Sequence, residues 1–447
     1  MEFTSGNQSS WTALMQRAAR NVVPLPGVAL FGPRVPTVTP AAAVGAGCRL
    51  NSAKFVTYQG EQWFEINATA TAGASNYFEL QMNTVTEFTC DCLSYEFQTD
   101  DLANLSNAVA YLGTSGYSVF ANDTRAIGTP SNNDPFRSYG TMTFTHYNAS
   151  FAKNGFTGSL TDQAWINAKV RMTVANGTSA VVRFRSMTAG AVRNKGRLCI
   201  SVDDGYDSVY RLGWPVLTRY GFPFSMGIIA DKVGKSGYMT LDNLVEITEA
   251  GNECVAHGPI GGSGNLFTGG PAYLNDAERI ADMKYHRDYL VTNGLTTDSG
   301  AQCYIWPQGR YSDANGSAST LTAAQAAGFV LGRAATEYSE YTAMDAMAET
   351  NQSRMILPII GHSYAGVANT PDDVTETANI ATIVGRIQAV AEARMDGMLM
   401  LHKFVARGAA NNAIMIEMDR LVTICDAVKT LVSSGTLDVV LLSDIAA

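Results

Sequence analysis

The clearest chemical signal in the sequence is a pair of adjacent carboxylates, Asp203 and Asp204, directly after the apolar run 198–202. Two carboxylates this close raise each other's pKa unless a cation lies between them, so the pair favours a bound metal ion. The alternative is a structural role, in which Asp207 or Ser208 caps the following helix and the pair is solvated.

Two of the five histidines end apolar runs in the same way. His257 closes the run 253–256, and His402 closes the run 398–401. Because the sites of parallel α/β folds lie at the carboxyl ends of the strands, we expect both histidines to lie with Asp203 and Asp204 at one edge of a sheet. Carboxylate and imidazole ligands suit zinc and several neighbouring divalent ions.

A fourth segment, Trp306-Pro307-Gln308-Gly309, follows the apolar run 302–305. Proline fixes the backbone and makes this aromatic turn rigid. Its backbone N–H groups could bind an oxyanion that develops during hydrolysis of an acyl group.

These four segments occur in the order that is typical of NodB-type polysaccharide deacetylases, carbohydrate esterase family 4, which the chain resembles from about residue 197 to its end. The motifs that carry the resemblance are Asp203-Asp204-Gly205, His257, Trp306-Pro307-Gln308-Gly309 and Leu401-His402. The resemblance implies an irregular (β/α) barrel with a divalent metal ion, preferably zinc, on its rim. The implied reaction is hydrolysis of N- or O-acetyl groups from an acetylated polysaccharide.

The resemblance also implies a role for each residue. Asp203 would be the general base, and His402 the general acid that protonates the leaving group. Asp204 and His257 would bind the metal. The backbone N–H of Gln308 would stabilise the oxyanion, in a substrate and oxyanion set made of Tyr206, Trp306, Pro307, Gln308 and Gly309.

One departure from the family concerns the third metal ligand. The family has a second histidine four residues after the first, and that position is Gly261 here. Our candidate for the missing ligand is His362, which follows another predicted strand; the alternative is a loop histidine without a catalytic role. Asn265 is a weaker candidate.

A second departure concerns the arginine that pairs with the base aspartate in the family. Ile305 occupies its position, and Arg310, Arg333 and Arg354 are the alternative candidates to replace it. The family's Asp-Trp motif before the last histidine is not recognisable either.

The elements that must position these residues divide the chain into three predicted zones. Residues 1–47 contain five prolines between 24 and 40 and are interpreted as a proline-rich arm or linker. Residues 48–193 have short β-branched and aromatic runs, which predict a β-sandwich of jelly-roll type that resembles carbohydrate-binding domains. Residues 194–447 alternate apolar runs with amphipathic helices, which predicts a parallel sheet or barrel. Asn176-Gly177 between two alternating runs predicts a two-residue hairpin.

Composition excludes several classes of protein. The net charge of -9 and a pI near 5.1 argue against a nucleic-acid partner. No apolar run is long enough to span a membrane, so membrane insertion is not expected, and the first residues do not resemble a signal peptide. The seven cysteines have no zinc-type spacing, and a disulfide framework is not expected.

Rival functions remain open at this stage. A degenerate barrel could bind glycan without turning it over, as an adhesive virion protein. A serine esterase is less favoured, because Gly361-His362-Ser363-Tyr364-Ala365 lacks the closing glycine of a nucleophile elbow. An arm, a β-sandwich and an esterase together resemble a bacteriophage tail spike or fibre. That analogy predicts a virion tail location at the bacterial surface, a capsule or O-antigen substrate and a homotrimer.

Overall fold

The computed structural model describes most of the chain. The described residues are 28–32, 38–58, 61–71, 73, 75–127, 141–147, 150–190, 195–258, 276–309, 319–337, 355, 357–362, 373–407 and 414–446. The chain divides into two compact units at residue 194, here called the β unit and the parallel-sheet unit.

The β unit contains twelve strands within its described residues. They are β1 (Val28–Phe31), β2 (Ala41–Val44), β3 (Cys48–Tyr58), β4 (Glu61–Ala70), β5 (Tyr77–Phe88), β6 (Cys92–Thr99), β7 (Leu105–Gly113), β8 (Phe120–Ala126), β9 (Thr141–Tyr147), β10 (Ala152–Asn154), β11 (Trp165–Val174) and β12 (Ser179–Gly190). Short 3-10 helices are formed by Leu102–Asn104, Ser115–Tyr117 and Leu160–Asp162.

These strands form two antiparallel sheets around one hydrophobic core. The first sheet has the order β3-β4-β12-β6-β9, with β1 paired to β12, and the second has the order β10-β8-β7-β11-β5-β2. Alternate residues of β11 are fully buried, as the period of a strand with one face on a core requires. Phe78 of the second sheet meets Phe184 of the first edge-on, with ring centroids 6.5 Å apart. The predicted all-β class is therefore confirmed for this part of the chain.

The predicted hairpin at Asn176-Gly177 is wrong. The turn exists, with Gly177 at a φ of 73°. However, β11 pairs with β5 and β7 in one sheet, whereas β12 pairs with β4 and β6 in the other. The turn therefore connects the two sheets. Both strands have an alternating apolar face, and local alternation does not reveal which sheet a strand joins.

Part of the proline-rich zone contributes strands to the β unit. β1 pairs antiparallel with β12, and β2 pairs antiparallel with β5. The sequence also predicts a short helix at 11–20, which lies outside the described residues.

The parallel-sheet unit alternates strands and helices, as the sequence predicts. Its strands are β13 (Gly196–Val202), β14 (Ser225–Ile228), β15 (Glu253–Ala256), β16 (Cys303–Ile305), β17 (Leu331–Glu337), β18 (Leu357–Ile359), β19 (Gly361–His362), β20 (Asp396–Leu401), β21 (Lys403–Val405), β22 (Met415–Glu417) and β23 (Leu437–Val440). Its α-helices are α1 (Trp214–Tyr220), α2 (Leu241–Glu249), α3 (Asp276–Thr292), α4 (Ser319–Ala326), α5 (Asp373–Ala393), α6 (Met418–Ser433) and α7 (Leu442–Ala446). A π-helix, Val209–Gly213, precedes α1, and 3-10 helices are formed by Ala230–Lys232, Gly300–Gln302 and Pro307–Gly309.

Nine of these strands form one curled parallel sheet with the order β18-β17-β16-β15-β14-β13-β20-β19, in which β23 also pairs with β13. Its two outermost strands, β18 and β19, are consecutive segments separated only by Ile360, whose N–H donates to Met398 O of β20. One continuous segment therefore pairs with β17 at its beginning and with β20 at its end. The carboxyl ends of the strands consequently surround a common region.

Among the described helices, none combines the length and the apolar character that crossing a membrane requires. All seven cysteines are buried free thiols.

Candidate metal and catalytic site

The two adjacent aspartates face one site because the chain turns sharply after β13. Asp203 still pairs with the sheet, through its N–H to the carbonyl of Leu401 at 2.8 Å. Asp204 then takes a φ of 71° and Gly205 a φ of 76°. The left-handed region is unfavourable for a residue other than glycine, though aspartate tolerates it better than most. This turn brings the second carboxylate round to the side of the first.

Asp203 is held by a buried ion pair with Arg333. The arginine side chain is fully buried, and its Nη2 donates to Asp203 Oδ2. Ser201 Oγ donates to the other carboxylate oxygen at 3.1 Å. Burial alone would raise the pKa of Asp203, but the charge of Arg333, followed by those of His257 and His402, outweighs burial and lowers it. Asp203 is therefore ionised at neutral pH and can accept a proton.

Arg333 is the compensating arginine that the sequence left open among three candidates. It lies on β17, directly beside Ile305 of β16 in the parallel register. Of the three candidate arginines, Arg333 is therefore the one that the described residues place against Asp203. Arg310 and Arg354 lie outside the described residues.

His257 and Asp204 are paired at the carboxyl end of β15. His257 Nε2 lies 3.3 Å from Asp204 Oδ1, and the histidine side chain is only 3% exposed. His257 Nδ1 lies 2.9 Å from the carbonyl oxygen of Ile305. A carbonyl oxygen can only accept, so Nδ1 carries a proton and donates it.

This hydrogen bond tests whether the pair suits a metal ion. With its proton on Nδ1, a neutral His257 presents the lone pair of Nε2 to a carboxylate oxygen, which is repulsive unless a cation lies between them. Two ligands of one tetrahedral zinc ion are roughly 3.3–3.5 Å apart when each bond is about 2.0–2.15 Å. The observed separation and tautomer fit two ligands of such an ion, with Ile305 O orienting the imidazole.

Without a metal, a proton would take the place of the cation. Burial disfavours the imidazolium form, but the hydrogen bond to Asp204 and the charges of Asp203 and Asp204 outweigh burial and raise the pKa of His257. The same negative surroundings that hold this proton would attract a divalent cation.

His402 lies on the other side of Asp203, at the end of β20. Its Nε2 is 3.9 Å from Asp203 Oδ2, which is too long for a hydrogen bond but close enough for strong electrostatic coupling. Nδ1 is buried and has no hydrogen-bond partner among the described residues. Burial is the main cause that lowers the pKa of His402, and the charges of Asp203 and Asp204 oppose it.

Tyr206 lies close enough to Asp204 to feel its charge. Burial and the nearby charge of Asp204 raise the pKa of Tyr206, so its phenol stays protonated at neutral pH and can donate a hydrogen bond. A protonated phenol that donates to a ligating carboxylate fixes the orientation of that carboxylate.

The aromatic turn after β16 is rigid, as the sequence predicts. Trp306 is fully buried, and its indole N–H donates to the carbonyl of Met355. Pro307–Gly309 forms one 3-10 turn, closed by the N–H of Gly309 donating to Trp306 O at 2.8 Å. Gly309 has a φ of 69°, and a Cβ there would lie 2.4 Å from the backbone nitrogen of Ala335 in β17. The turn is thus locked against the strand that carries Arg333.

For His362, the predicted third ligand, the structure describes the backbone and not the side chain. His362 pairs with Met400 in the parallel register, two residues before His402, so its backbone lies at the same end of the sheet. Its side chain, like Asn265, Gly261 and Ser363, lies outside what is described. Among the described residues, no three His, Cys, Asp or Glu side chains are grouped to hold a metal.

Sequence reasoning missed two further residues near the site. Tyr238 stacks on Tyr206, with ring centroids 5.1 Å apart. His286 of α3 is buried beside Gly258, and its Nδ1 accepts from the N–H of Ala230 at 3.2 Å. Neither follows an apolar run, so nothing in the local sequence marks it.

No protein-family model matches the chain, and no curated protein matches it. Solved structures do. A family 4 carbohydrate esterase from Streptomyces lividans in complex with acetate is 13% identical, with 56% of this chain and 94% of that chain covered and a TM-score of 0.33. A family 4 acetyl xylan esterase from Clostridium thermocellum, bound to a cobalt ion, is 13% identical over 56% of this chain and 89% of that chain, with a TM-score of 0.34.

A family 11 carbohydrate-binding module of a cellulase from Clostridium thermocellum is similar as well. It is 13% identical over 35% of this chain and 90% of that chain, with a TM-score of 0.25. The esterases and the carbohydrate-binding module are thus structures to which this chain is similar. Similarities this distant do not support a function by themselves, so the function must be inferred from the contacts described above.

Proposed function

We propose that the chain is a metal-dependent polysaccharide deacetylase whose parallel-sheet unit is an irregular (β/α) barrel of NodB type. The observation that carries the proposal is the arrangement of His257 between Ile305 O and Asp204. In this arrangement the lone pair of His257 Nε2 points at the carboxylate of Asp204. A second, buried carboxylate, that of Asp203, is kept ionised by Arg333.

In this proposal Asp204 and His257 would hold the ion, preferably zinc, with His362 as the predicted third ligand. When bound, the ion would supply Lewis acidity, which polarises an acetyl carbonyl and lowers the pKa of a water. Asp203 takes a proton from the water that attacks the carbonyl carbon. The ion pair with Arg333 fixes the carboxylate of Asp203, so that little reorganisation is needed at the moment of proton transfer.

His402 donates a proton to the leaving oxygen or nitrogen of the sugar. Its position 3.9 Å from Asp203 Oδ2 lets the ionised base stabilise the imidazolium that precedes this donation. The backbone N–H of Gln308 stabilises the oxyanion of the tetrahedral intermediate, on the turn that Gly309 locks against β17.

Acetate release tests this reaction. The purified full chain is incubated with acetylated xylan, acetylated chitin oligomers and a small acetyl ester, with and without a chelator, and then with zinc restored. We expect acetate from at least one substrate, loss of activity with the chelator and recovery with zinc. Activity that survives thorough chelation would instead favour a serine esterase. A chain that releases no acetate but binds these glycans would be the degenerate, non-catalytic barrel.

Two variants test whether Asp203 is the general base. Asp203→Asn should abolish acetate release while zinc binding persists, because Asp203 is proposed as a base and not as a ligand. Asp207→Asn is the control: this aspartate lies four residues later and pairs with Arg211 at 2.6 Å, away from His257 and Arg333. Full activity in Asp203→Asn would remove this residue from the mechanism.

The biological setting is also part of the proposal. We propose that the substrate is a bacterial capsule or O-antigen, that the β unit binds carbohydrate, and that the chain is a trimeric component of a virion tail. The support is the combination of an antiparallel two-sheet unit with the site above. Light scattering on the full chain should give three times the chain mass; a monomer at micromolar concentration would contradict the tail-spike assembly.

A further inference from the structure

A second cluster lies at the mouth of the site and consists of two stacked tyrosines. The rings of Tyr206 and Tyr238 are 5.1 Å apart at an angle of 21°. Their backbones form an isolated antiparallel bridge, flanked by hydrogen bonds from Asp207 N to Gly237 O and from Met239 N to Gly205 O, both 3.0 Å. The pair is therefore a fixed, half-buried platform beside Asp204.

A lysine lies over each of the two rings. Lys403 Nζ is 5.5 Å from the centroid of Tyr206, and Lys232 Nζ is 5.7 Å from that of Tyr238. The two ammonium groups thus contact different rings of the stacked pair. Cation–π contacts of this length are weak at partly exposed positions. Both ammonium groups can therefore exchange this contact for a ligand.

Neither lysine forms an ion pair within the described residues. Two acids close to them in sequence have other partners: Asp207 pairs with Arg211 at 2.6 Å, and Asp231 accepts from the hydroxyl of Tyr285 at 3.2 Å. The charge of Asp204, which acts on Tyr206, is the one that the proposed metal ion would neutralise. The chain as a whole carries a net charge of -9, so two lysines without an ion pair beside this site are a local exception. A protein with a negative net charge repels an anionic polymer, so it needs local positive charge to bind one at its site.

We propose that Tyr206, Tyr238, Lys232 and Lys403 form a subsite for a carboxylate-bearing sugar, so that the preferred substrate is an anionic acetylated polysaccharide. The sugar ring packs against the exposed part of the tyrosine pair, and each ammonium group can bind one carboxylate of the polymer. This substrate class rests on the deacetylase function proposed above. The subsite adjoins Asp204, so the charged sugar would be the acetylated residue itself or its immediate neighbour.

Binding tests the subsite separately from catalysis. The full-length protein is run on affinity gels that contain polygalacturonate, alginate, hyaluronan or neutral xylan, at low and at high salt. We expect retardation by at least one anionic polymer, weakened at high salt because screening reduces the attraction. The double variant Lys232→Gln/Lys403→Gln should lose at least tenfold in affinity for that polymer and keep its affinity for xylan.

Lys235→Gln is the matched control. Lys235 lies in the same turn as Lys232 and is exposed, and its replacement changes the net charge by one unit, as each substitution of the double variant does, so it should bind as the parent does. Equal retardation of parent and double variant, or no preference for any anionic polymer, would overturn the subsite. Failure of acetate release from every substrate would overturn the deacetylase instead, and the gels would still decide the subsite.

Where the parent does release acetate, kinetics add a second comparison. The double variant should have a raised KM on an acetylated anionic polymer and an unchanged kcat/KM on a small acetyl ester. An equal loss on both substrates would indicate a general structural effect and contradict the subsite.

Discussion

Arg333 reaches Asp203 across the interior of the curled sheet. In the strand order, β17 and β13 are four intervals apart, which is about 19 Å in a flat sheet at roughly 4.8 Å per interval. An arginine side chain cannot span that distance. The contact between Arg333 Nη2 and Asp203 Oδ2, and that of Arg333 Nη1 with Met400 Sδ at 2.9 Å, therefore requires the curvature of the sheet. The position of the Asp203 carboxylate and the curvature of the sheet therefore depend on each other through this pair.

Replacing Arg333 should damage both stability and activity. Arg333→Gln leaves a buried carboxylate without its partner, and loss of one member of a buried pair costs about 3–5 kcal/mol. Arg333→Lys keeps the charge but not the planar geometry, so we expect kcat/KM to fall on the order of 100-fold from misplacement of the base. Urea unfolding and acetate release measure the two effects.

The double variant Asp203→Asn/Arg333→Gln provides the control for this pair. Because it removes both charges, its loss of stability should be smaller than the sum of the two single losses. Strict additivity would mean that the two side chains do not interact as described.

Gly309→Ala should disable the oxyanion turn. The new Cβ would lie 2.3 Å from the Cβ of Ala335, and the residue has a positive φ of 69°. We expect a large fall in kcat, since the turn must move away from β17. The matched control is Gly435→Ala, which has a φ of 75° but nothing within 4 Å of the added Cβ. It should lose only about 1–2 kcal/mol of stability and no activity. Equal activity of the two variants would contradict a role for the locked turn.

The β unit should become less stable in acid through Glu79. This carboxylate is 4% exposed and accepts from Arg171 Nη2 at 2.7 Å, with Lys169 Nζ at 3.1 Å. Burial would raise its pKa, but hydrogen bonds from Arg171 and Gln81 and the charge of Lys169 outweigh burial and lower it from 4.5.

A lowered folded-state pKa means that the contribution of Glu79 to stability is complete above about pH 4.5. It is lost as the pH falls through the lower folded-state value. In Glu79→Gln the backbone amides of β5 and β11 should therefore exchange faster at pH 7. Hydrogen exchange with mass spectrometry should show an opening free energy that is lower by about 1.5–3 kcal/mol. The difference should shrink below the folded-state pKa. A difference that is the same at pH 7 and at pH 3 would contradict the ion pair.

The sequence predicted much of the site because its residues follow buried strands. Asp203, His257 and His402 each end an apolar run, and parallel pairing brings those ends together regardless of the intervening chain. The sequence alone did not show which of three arginines pairs with Asp203. Its partner lies on a strand four intervals away, and only the curvature of the sheet decides which arginine reaches it.

The β unit shows the same limit. The β-branched and aromatic run Thr141–Tyr147, which has turn residues on both sides in the sequence, forms β9. By contrast, alanine, asparagine and glycine dilute the strand signal in Leu105–Gly113, which forms β7. The predicted hairpin at Asn176-Gly177 is wrong because the two flanking strands join different sheets around one core, and no local pattern records which sheet a strand joins.

Zinc titration into metal-free protein, followed by calorimetry, tests the central claim most directly. We expect one site per chain that Asp204→Asn and His257→Gln each weaken by at least 100-fold, while Asp207→Asn binds as the parent does. His362→Ala should weaken the same site if its side chain completes it. Binding of zinc with equal affinity by the parent, Asp204→Asn and His257→Gln would contradict the metal centre and, with it, the deacetylase.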